Sequence, residues 1–255
     1  MIFLFILLHV QTLRESLVDL KSGPGLEEIW HSSLHIPDFS FSNLATLIVY
    51  RCQFLSDAVL PFHLFPLFLK LETLVVENCD YVKTIFDVKS TTQGTLITSP
   101  LKTLTLSKLP NLKNVWNEDP REILNMHHLE QVHVRECKGL KSVFPQSVAK
   151  DNEKLENLLV VNCERLTTII AEDHTDPSLK PTFPCPCVRS LELRDLPNFK
   201  YFYYCSLKSD IYTHVESHTV DQLHTEKVTA LSPCFVKGSV STNKLNIAEC
   251  IYIHI

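Results

Sequence analysis

The 255-residue chain is long enough for one domain or a short repeat array, and at 45% apolar it can bury a core. Its net charge of -5 lacks the basic excess of a nucleic-acid surface, and five glycines leave little for Gly-rich phosphate loops. Nine cysteines, an odd count without paired clusters, and no Asn-x-Ser/Thr acceptor point to a reducing, cytoplasmic setting with free thiols.

In chain order, residues 1–12 are an apolar N-terminal segment. No Lys or Arg precedes the apolar run at residues 2–8, and no small-residue cleavage site follows it. A bilayer span takes about 20 residues, so no membrane partner is expected. The segment is read as a truncated repeat or an artefact of where the chain starts.

Residues 13–204 carry a repeated spacing, Leu-x-x-Leu-x-Leu-x-x-Cys-x-x-Leu. The first clear copy is Leu44, Leu47, Val49, Cys52, Leu55, and the second is Leu71, Leu74, Val76, Cys79, Val82. The third is Leu101, Leu104, Leu106, Leu109, Leu112, and the fourth Leu129, Val132, Val134, Cys137, Leu140. Leu155, Leu158, Val160, Cys163, Leu166 and Val188, Leu191, Leu193, Leu196, Phe199 complete the series. Start-to-start distances are 27, 30, 28, 26 and 33 residues. Six copies in register exclude chance in a Leu-rich chain and define a repeat array.

A second order lies above the first. Cys52, Cys79 and Leu109 are followed by Cys137, Cys163 and Leu196, and both Leu copies continue as Leu-Pro-Asn. Units therefore come in sets of three, near 85 residues long (44 to 129, 71 to 155, 101 to 188). Counting back one set places a degraded Pro-type unit at residues 23–30, with Val18 and Leu20 as its strand leucines, which makes about seven units. Polar, Pro-containing stretches at 87–100 and 171–184 are expected to be exposed loops. Residues 144–149 resemble a short helical crossover, and 61–69 occupy the matching place.

In x-Leu-x-Leu-x the leucines face one side and the x residues the other. Stacked units bury the leucines in a continuous core. The expected fold is an α/β repeat: a leucine-rich-repeat solenoid, or horseshoe, with a parallel concave sheet and a mostly irregular or short-helical convex side. The six strands are expected at 46–50, 73–77, 103–107, 131–135, 157–161 and 190–194. Their solvent-facing columns follow by alternation. One is Ile48, Val75, Thr105, His133, Leu159 and Glu192, and the next is Tyr50, Glu77, Ser107, Arg135, Val161 and Arg194. These twelve residues are the candidate protein-binding face, because exposed aliphatics beside charges mark such surfaces. Val and Ile also simply suit strands, so this reading stays open.

No catalytic, cofactor or metal site is expected. The repeat cysteines sit singly, 26 or more residues apart, and are read as a ladder that satisfies the turn after each strand. Cys185-Pro186-Cys187 lacks a second ligand pair, and His127-His128, on a presumed helix-to-strand connection, do not face the same way as His133. The aromatic run Tyr201 to Tyr204 is read as a convex-side packing plug. Residues 205–255 lose the repeat and are read as an irregular tail that does not look like a polar cap.

The triplet order of Cys-, Cys- and Leu-Pro-type units resembles the leucine-rich repeats of plant coiled-coil nucleotide-binding disease-resistance proteins. It is carried by Leu112-Lys113-Asn114-Val115-Trp116, by the run from Cys137 to Pro145, and by Leu155-Glu156-Asn157-Leu158. That resemblance implies a recognition or regulatory module in the defence response. Its implied partners are proteins: a pathogen effector, a guarded host protein or the receptor's nucleotide-binding domain. No Gly-x-x-x-x-Gly-Lys-Ser/Thr run occurs, so nucleotide binding is not carried over and the chain is expected to be a fragment of a larger receptor. The alternative is the substrate-binding repeat module of an F-box type ubiquitin-ligase adaptor.

Overall fold

The computed structural model describes residues 17–20, 41, 43–53, 55–88, 96–121, 123–171, 188–203, 240–241 and 244–246. The N-terminal segment, the degraded unit at 23–30, Cys185, Cys187 and most of the tail lie outside the described residues. In chain order the first strands are β1 (Leu17–Leu20), β2 (Thr46–Tyr50), β3 (Ala58–Pro61), β4 (Thr73–Glu77), β5 (Thr84–Asp87) and β6 (Ile97–Thr98). Then come β7 (Thr103–Ser107), β8 (Asn114–Trp116), β9 (Leu124–Asn125), β10 (Gln131–Arg135), β11 (Ser142–Phe144) and β12 (Asn157–Val161). The last are β13 (Thr168–Ile170), β14 (Ser190–Arg194), β15 (Tyr201–Tyr203), β16 (Val240–Ser241) and β17 (Lys244–Asn246). A 3-10 helix, η1 (Phe62–Leu67), follows β3, and α1 (Gln146–Asp151) follows β11.

Strands β1, β2, β4, β7, β10, β12 and β14 pair side by side in parallel, and all six expected strand bounds are met. Val18 lies opposite Leu47 and Leu20 opposite Val49, so β1 is the strand of a further unit in the register that the spacing implies. In β2, β4, β7 and β12 the inward residues are buried and the outward ones half-buried, the alternation that x-Leu-x-Leu-x demands, while in β14 the inward Leu193 is half-buried. Each fully buried Leu or Val contributes about 1.5–3 kcal/mol, and no unit could bury its stripe without a neighbour.

The strand ends hold a feature that alternation does not foretell. Arg51, Asn78, Lys108, Glu136, Asn162 and Asp195 all take positive φ, between 50° and 55°. Strict alternation would turn these polar side chains into the core. The left-handed residue shifts the phase by one, so that Cys52, Cys79, Leu109, Cys137, Cys163 and Leu196 go inward instead. Each such residue costs about 1–2 kcal/mol of backbone strain. In return its N–H extends the ladder: Arg51 donates to the Glu77 carbonyl at 3.1 Å, and Asn78, Lys108, Glu136 and Asn162 to the next unit at 3.0 Å.

Behind the concave sheet the chain builds a second layer, and there the sets of three reappear. One three-stranded parallel sheet is β3-β5-β8 and the other is β11-β13-β15. Each belongs to one set, Cys-, Cys- and Leu-Pro-type in turn. Within a set the backbone ladder continues, as in Lys113 N–H to Lys83 carbonyl at 2.9 Å and Lys200 N–H to Thr167 carbonyl at 2.9 Å. Between the sets, among the described residues, no such bond joins Lys141 to Lys113 and β8 is not paired with β11. Side chains bridge the break. Phe65, Phe86, Trp116 and Phe144 form a file of rings with successive centroids 6.0, 5.2 and 6.0 Å apart. Asp119 accepts hydrogen bonds from the Ser147 hydroxyl and, at 3.3 Å, from its N–H, and so caps α1 from the preceding unit.

The Leu-Pro-Asn motif also acquires a role. Asn111 donates to the Asp80 carbonyl at 2.7 Å, and Asn198 to the Glu164 carbonyl at 2.6 Å. The Pro-type unit thus ties its turn to the turn of the unit before it, twice, at equivalent places. Asn111→Ala is expected to lower stability by about 0.5–1 kcal/mol, the low end for a hydrogen bond at an exposed site. A urea titration checks this; no change in midpoint would show that the tie is replaced by solvent.

Several expectations need correction. The connection carrying His127 and His128 is not helical: β9 leads into a turn, and β9 pairs in parallel with β6. Ile97 and Thr98 therefore belong to a strand inside a stretch expected to be loop. At the end of the sixth unit Tyr201–Tyr203 form β15, paired with β13 in the second layer. The tail expected to be irregular contributes β16 and β17, an antiparallel pair that lies against Ser190 and Leu191 of β14. An unpaired sheet edge is a template for any extended segment, which is the physical reason for this addition.

Candidate protein-binding surface

The twelve candidate residues fall into two unbroken columns. Pairing registers place Ile48, Val75, Thr105, His133, Leu159 and Glu192 in one file and Tyr50, Glu77, Ser107, Arg135, Val161 and Arg194 in the next. All are half-buried except Arg135, which is exposed. Strands about 4.8 Å apart give a nearly flat lattice of side chains. Its apolar members form two patches: Ile48, Val75 and Tyr50 towards the N-terminal units, and Leu159 with Val161 towards the C-terminal ones. Thr105, Ser107, His133 and Arg135 separate them.

The charges along the rim are unevenly matched. Arg194 lies 3.6 Å from Glu192 and 3.7 Å from Asp195. Arg51 stacks over the Tyr50 ring, 5.1 Å from its centroid. Arg135 makes no ion pair among the described residues. Its field is felt by His133, whose pKa is lowered from 6.5 first by burial and then by Arg135. His128 is lowered too, by burial and then by His127 and Lys154. A depressed folded-state pKa means that the native state binds fewer protons than the unfolded one. The stability these two contribute is present above about pH 6.5 and is lost as the pH falls through the folded values. By proton NMR, His133 is expected to titrate below 6.5, and Arg135→Ala to move it only part of the way back; full return would assign the shift to Arg135 alone.

His127, His128 and His133 do not converge. The two neighbouring rings are 4.0 Å apart, His127 contacts Asn125 Oδ1 at 2.6 Å and His128 contacts Lys154 Nζ at 3.0 Å, while His133 lies in the concave file. The four repeat cysteines are buried, free thiols. Cys79 Sγ accepts from the Cys52 N–H at 3.4 Å and lies 3.4 Å from the Glu77 carbonyl, and Cys137 and Cys163 reach the Arg135 and Val161 carbonyls at 3.4 and 3.5 Å. Burial pushes the Cys79 thiol up, and a hydrogen bond to Cys163 together with burial pushes Cys137 well up. The raised values make Cys79 and Cys137 poor nucleophiles, whereas the hydrogen bond with Cys137 lowers the Cys163 thiol, which is itself buried. They serve the turn, as a ladder should.

Two features escaped the sequence. One is the left-handed rim, for which only Asn78, Asn162 and Asp195 carry a residue-type signal. The other is a groove of about 400 Å³ at the boundary between the two sets, lined by Trp116, Asn117, Asp119, Arg121, Phe144 and Gln146 among others.

A continuous parallel inner sheet, ladder residues after every strand and an open half-apolar inner face define a leucine-rich-repeat module, a class that is generally non-catalytic and binds other proteins. The chain belongs to the leucine-rich repeats of plant disease resistance proteins of the RPS2-like type, a family whose model matches residues 14–164, more than half of the 255. That match does not favour the ligase-adaptor alternative. No curated protein and no solved structure matches the chain significantly. Among the described residues no helix is long and apolar enough to cross a membrane.

Proposed function

We propose that this array is the ligand-recognition and regulatory module of an intracellular plant disease-resistance receptor, working in the cytoplasm without chemistry of its own. The concave columns are its protein-binding face. The observation that supports this reading is the register-locked lattice itself: six strands present the same two files of side chains, half-buried and partly apolar, within a resistance-protein family. A rigid, pre-ordered surface loses little entropy on binding, which suits it to a protein partner. That partner is a pathogen effector, a guarded host protein or the nucleotide-binding domain of the receptor, which would belong to another part of the same molecule.

The test is to place Val75→Asp and Leu159→Asp in the concave file and Lys83→Asp on the back, and to measure binding of each variant to those three kinds of partner. The reading expects the concave pair to lose at least tenfold in affinity for its partner while Lys83→Asp leaves it within twofold. Equal effects from both faces would count against the concave assignment.

A further inference from the structure

We propose that the concave face takes a partner segment carrying one carboxylate, seated on Arg135, between two apolar side chains that rest on the Val75 and Val161 patches. The inference rests on the reading of the concave columns as the binding face and adds the chemistry of what binds there.

Three observations carry it. First, the charge is uneven. The chain has a net charge of -5, yet Arg135 is exposed in a file whose adjoining members, Ser107 and Val161, carry no charge, the next carboxylate of the file being Glu77 two strands away. Second, Arg194, which holds the same place in the file as Arg135, is already flanked by Glu192 and Asp195, while Arg135 has no acidic partner among the described residues. An exposed guanidinium of this kind pairs best with a planar carboxylate, through two parallel N–H bonds. Third, Ser107 lies opposite Arg135 on β7 and Val161 on β12, His133 precedes it in the adjoining file, and the carboxylate next in sequence, Glu136, makes no ion pair with it among the described residues. The Ser107 hydroxyl can serve the carboxylate's remaining lone pairs.

The lattice also sets the spacing. Val75 lies two strands from Arg135 and two residues along the strand, about 12 Å in all, and Val161 one strand away in the same file, about 5 Å. An extended segment advances about 3.3–3.6 Å per residue. Crossing the strands, it would carry an apolar residue, then Asp or Glu about three positions on, then a second apolar residue after one or two more.

The experiment uses the full chain immobilised and a displayed library of random twelve-residue linear peptides as the probe. Selected sequences are expected to be enriched in that apolar-acid-apolar order. Arg135→Ala is expected to weaken the selected peptides at least tenfold, Arg135→Lys less, and Arg194→Ala by under twofold, with all three variants melting like the parent chain. Peptides selected without an acid, or unmoved by Arg135→Ala yet lost on Val75→Asp, overturn the carboxylate inference and leave the concave face standing. No selection, or peptides that ignore Val75, Arg135 and Leu159 alike, overturns both.

Discussion

Phe144→Ala is expected to lower the stability of the array by about 3–5 kcal/mol and to divide its unfolding into two steps. Phe144 is buried and packs its ring, tilted, against Trp116 across the junction between the two sets of three. Inside a set the second layer is held by ring contacts and by backbone pairing, as with Phe86 and Trp116, which lie opposite one another in β5 and β8. At the junction the strand pairing of the second layer stops although the concave strands β7 and β10 stay paired, and the back layers are joined by the ring contact, the Asp119 to Ser147 bonds and the close approach at Gly139. Nearest-neighbour coupling decides whether a stacked array melts as one body, so loss of the ring weakens the one coupling that has least in reserve. Phe86→Ala is the control: a cavity of similar cost, but within a set whose strands remain paired. Urea unfolding followed by hydrogen exchange separates the two. The Phe144 variant should show a lower m-value and early exchange in one set, and the Phe86 variant a single shifted transition. A single transition with unchanged m in both would mean that the concave sheet alone couples the sets.

Gly139→Ala is expected to destabilise by about 1–3 kcal/mol. A Cβ at this position would stand 2.7 Å from the Leu112 carbonyl oxygen and 3.1 Å from that of Pro110. Both contacts are backbone, in a turn of the preceding unit already fixed by the Asn111 bond to the Asp80 carbonyl, so neither can swing aside as a side chain could. The equivalent positions in the second and fifth units hold Tyr81 and Arg165, so the turn as such does not demand glycine. What demands it is the close approach of the fourth unit to the third. Differential scanning calorimetry of the variant checks this; an unchanged midpoint would show that the turn can retreat. Because the approach lies at the same junction as Phe144, combining the two substitutions should give a loss that departs from the sum.

The concave strands were legible because period-2 alternation and unit spacing reinforce each other six times over. Leu47 and Val49 mark β2, and the same rule carries back to Val18 and Leu20 although Glu15 stands where the repeat places its first Leu. The cysteine ladder was legible for the same reason. The rest depends on distances between units. β6 and β9 are two residues each, too short to carry any period. Arg51, Lys108 and Glu136 have no preference for positive φ, and only the need to turn Cys52, Leu109 and Cys137 inward puts them there. Of the candidate face, the files and their composition could be written from alternation, but the contrast between Arg135 and Arg194 could not, because it turns on which carboxylates lie within reach.

The matching of one back sheet to one set of three bears on how such an array can change length over evolutionary time. A duplication or deletion of a single unit would keep the concave ladder but leave a back strand without its place, and would put a Cys-type turn where the Asn tie of a Pro-type turn belongs. An exchange of a whole set, near 85 residues from Leu44 to Leu129, restores both layers at once. Recombination in this lineage should therefore leave survivors whose unit number changes by threes, with breakpoints gathered at the junction marked by Gly139 and Phe144.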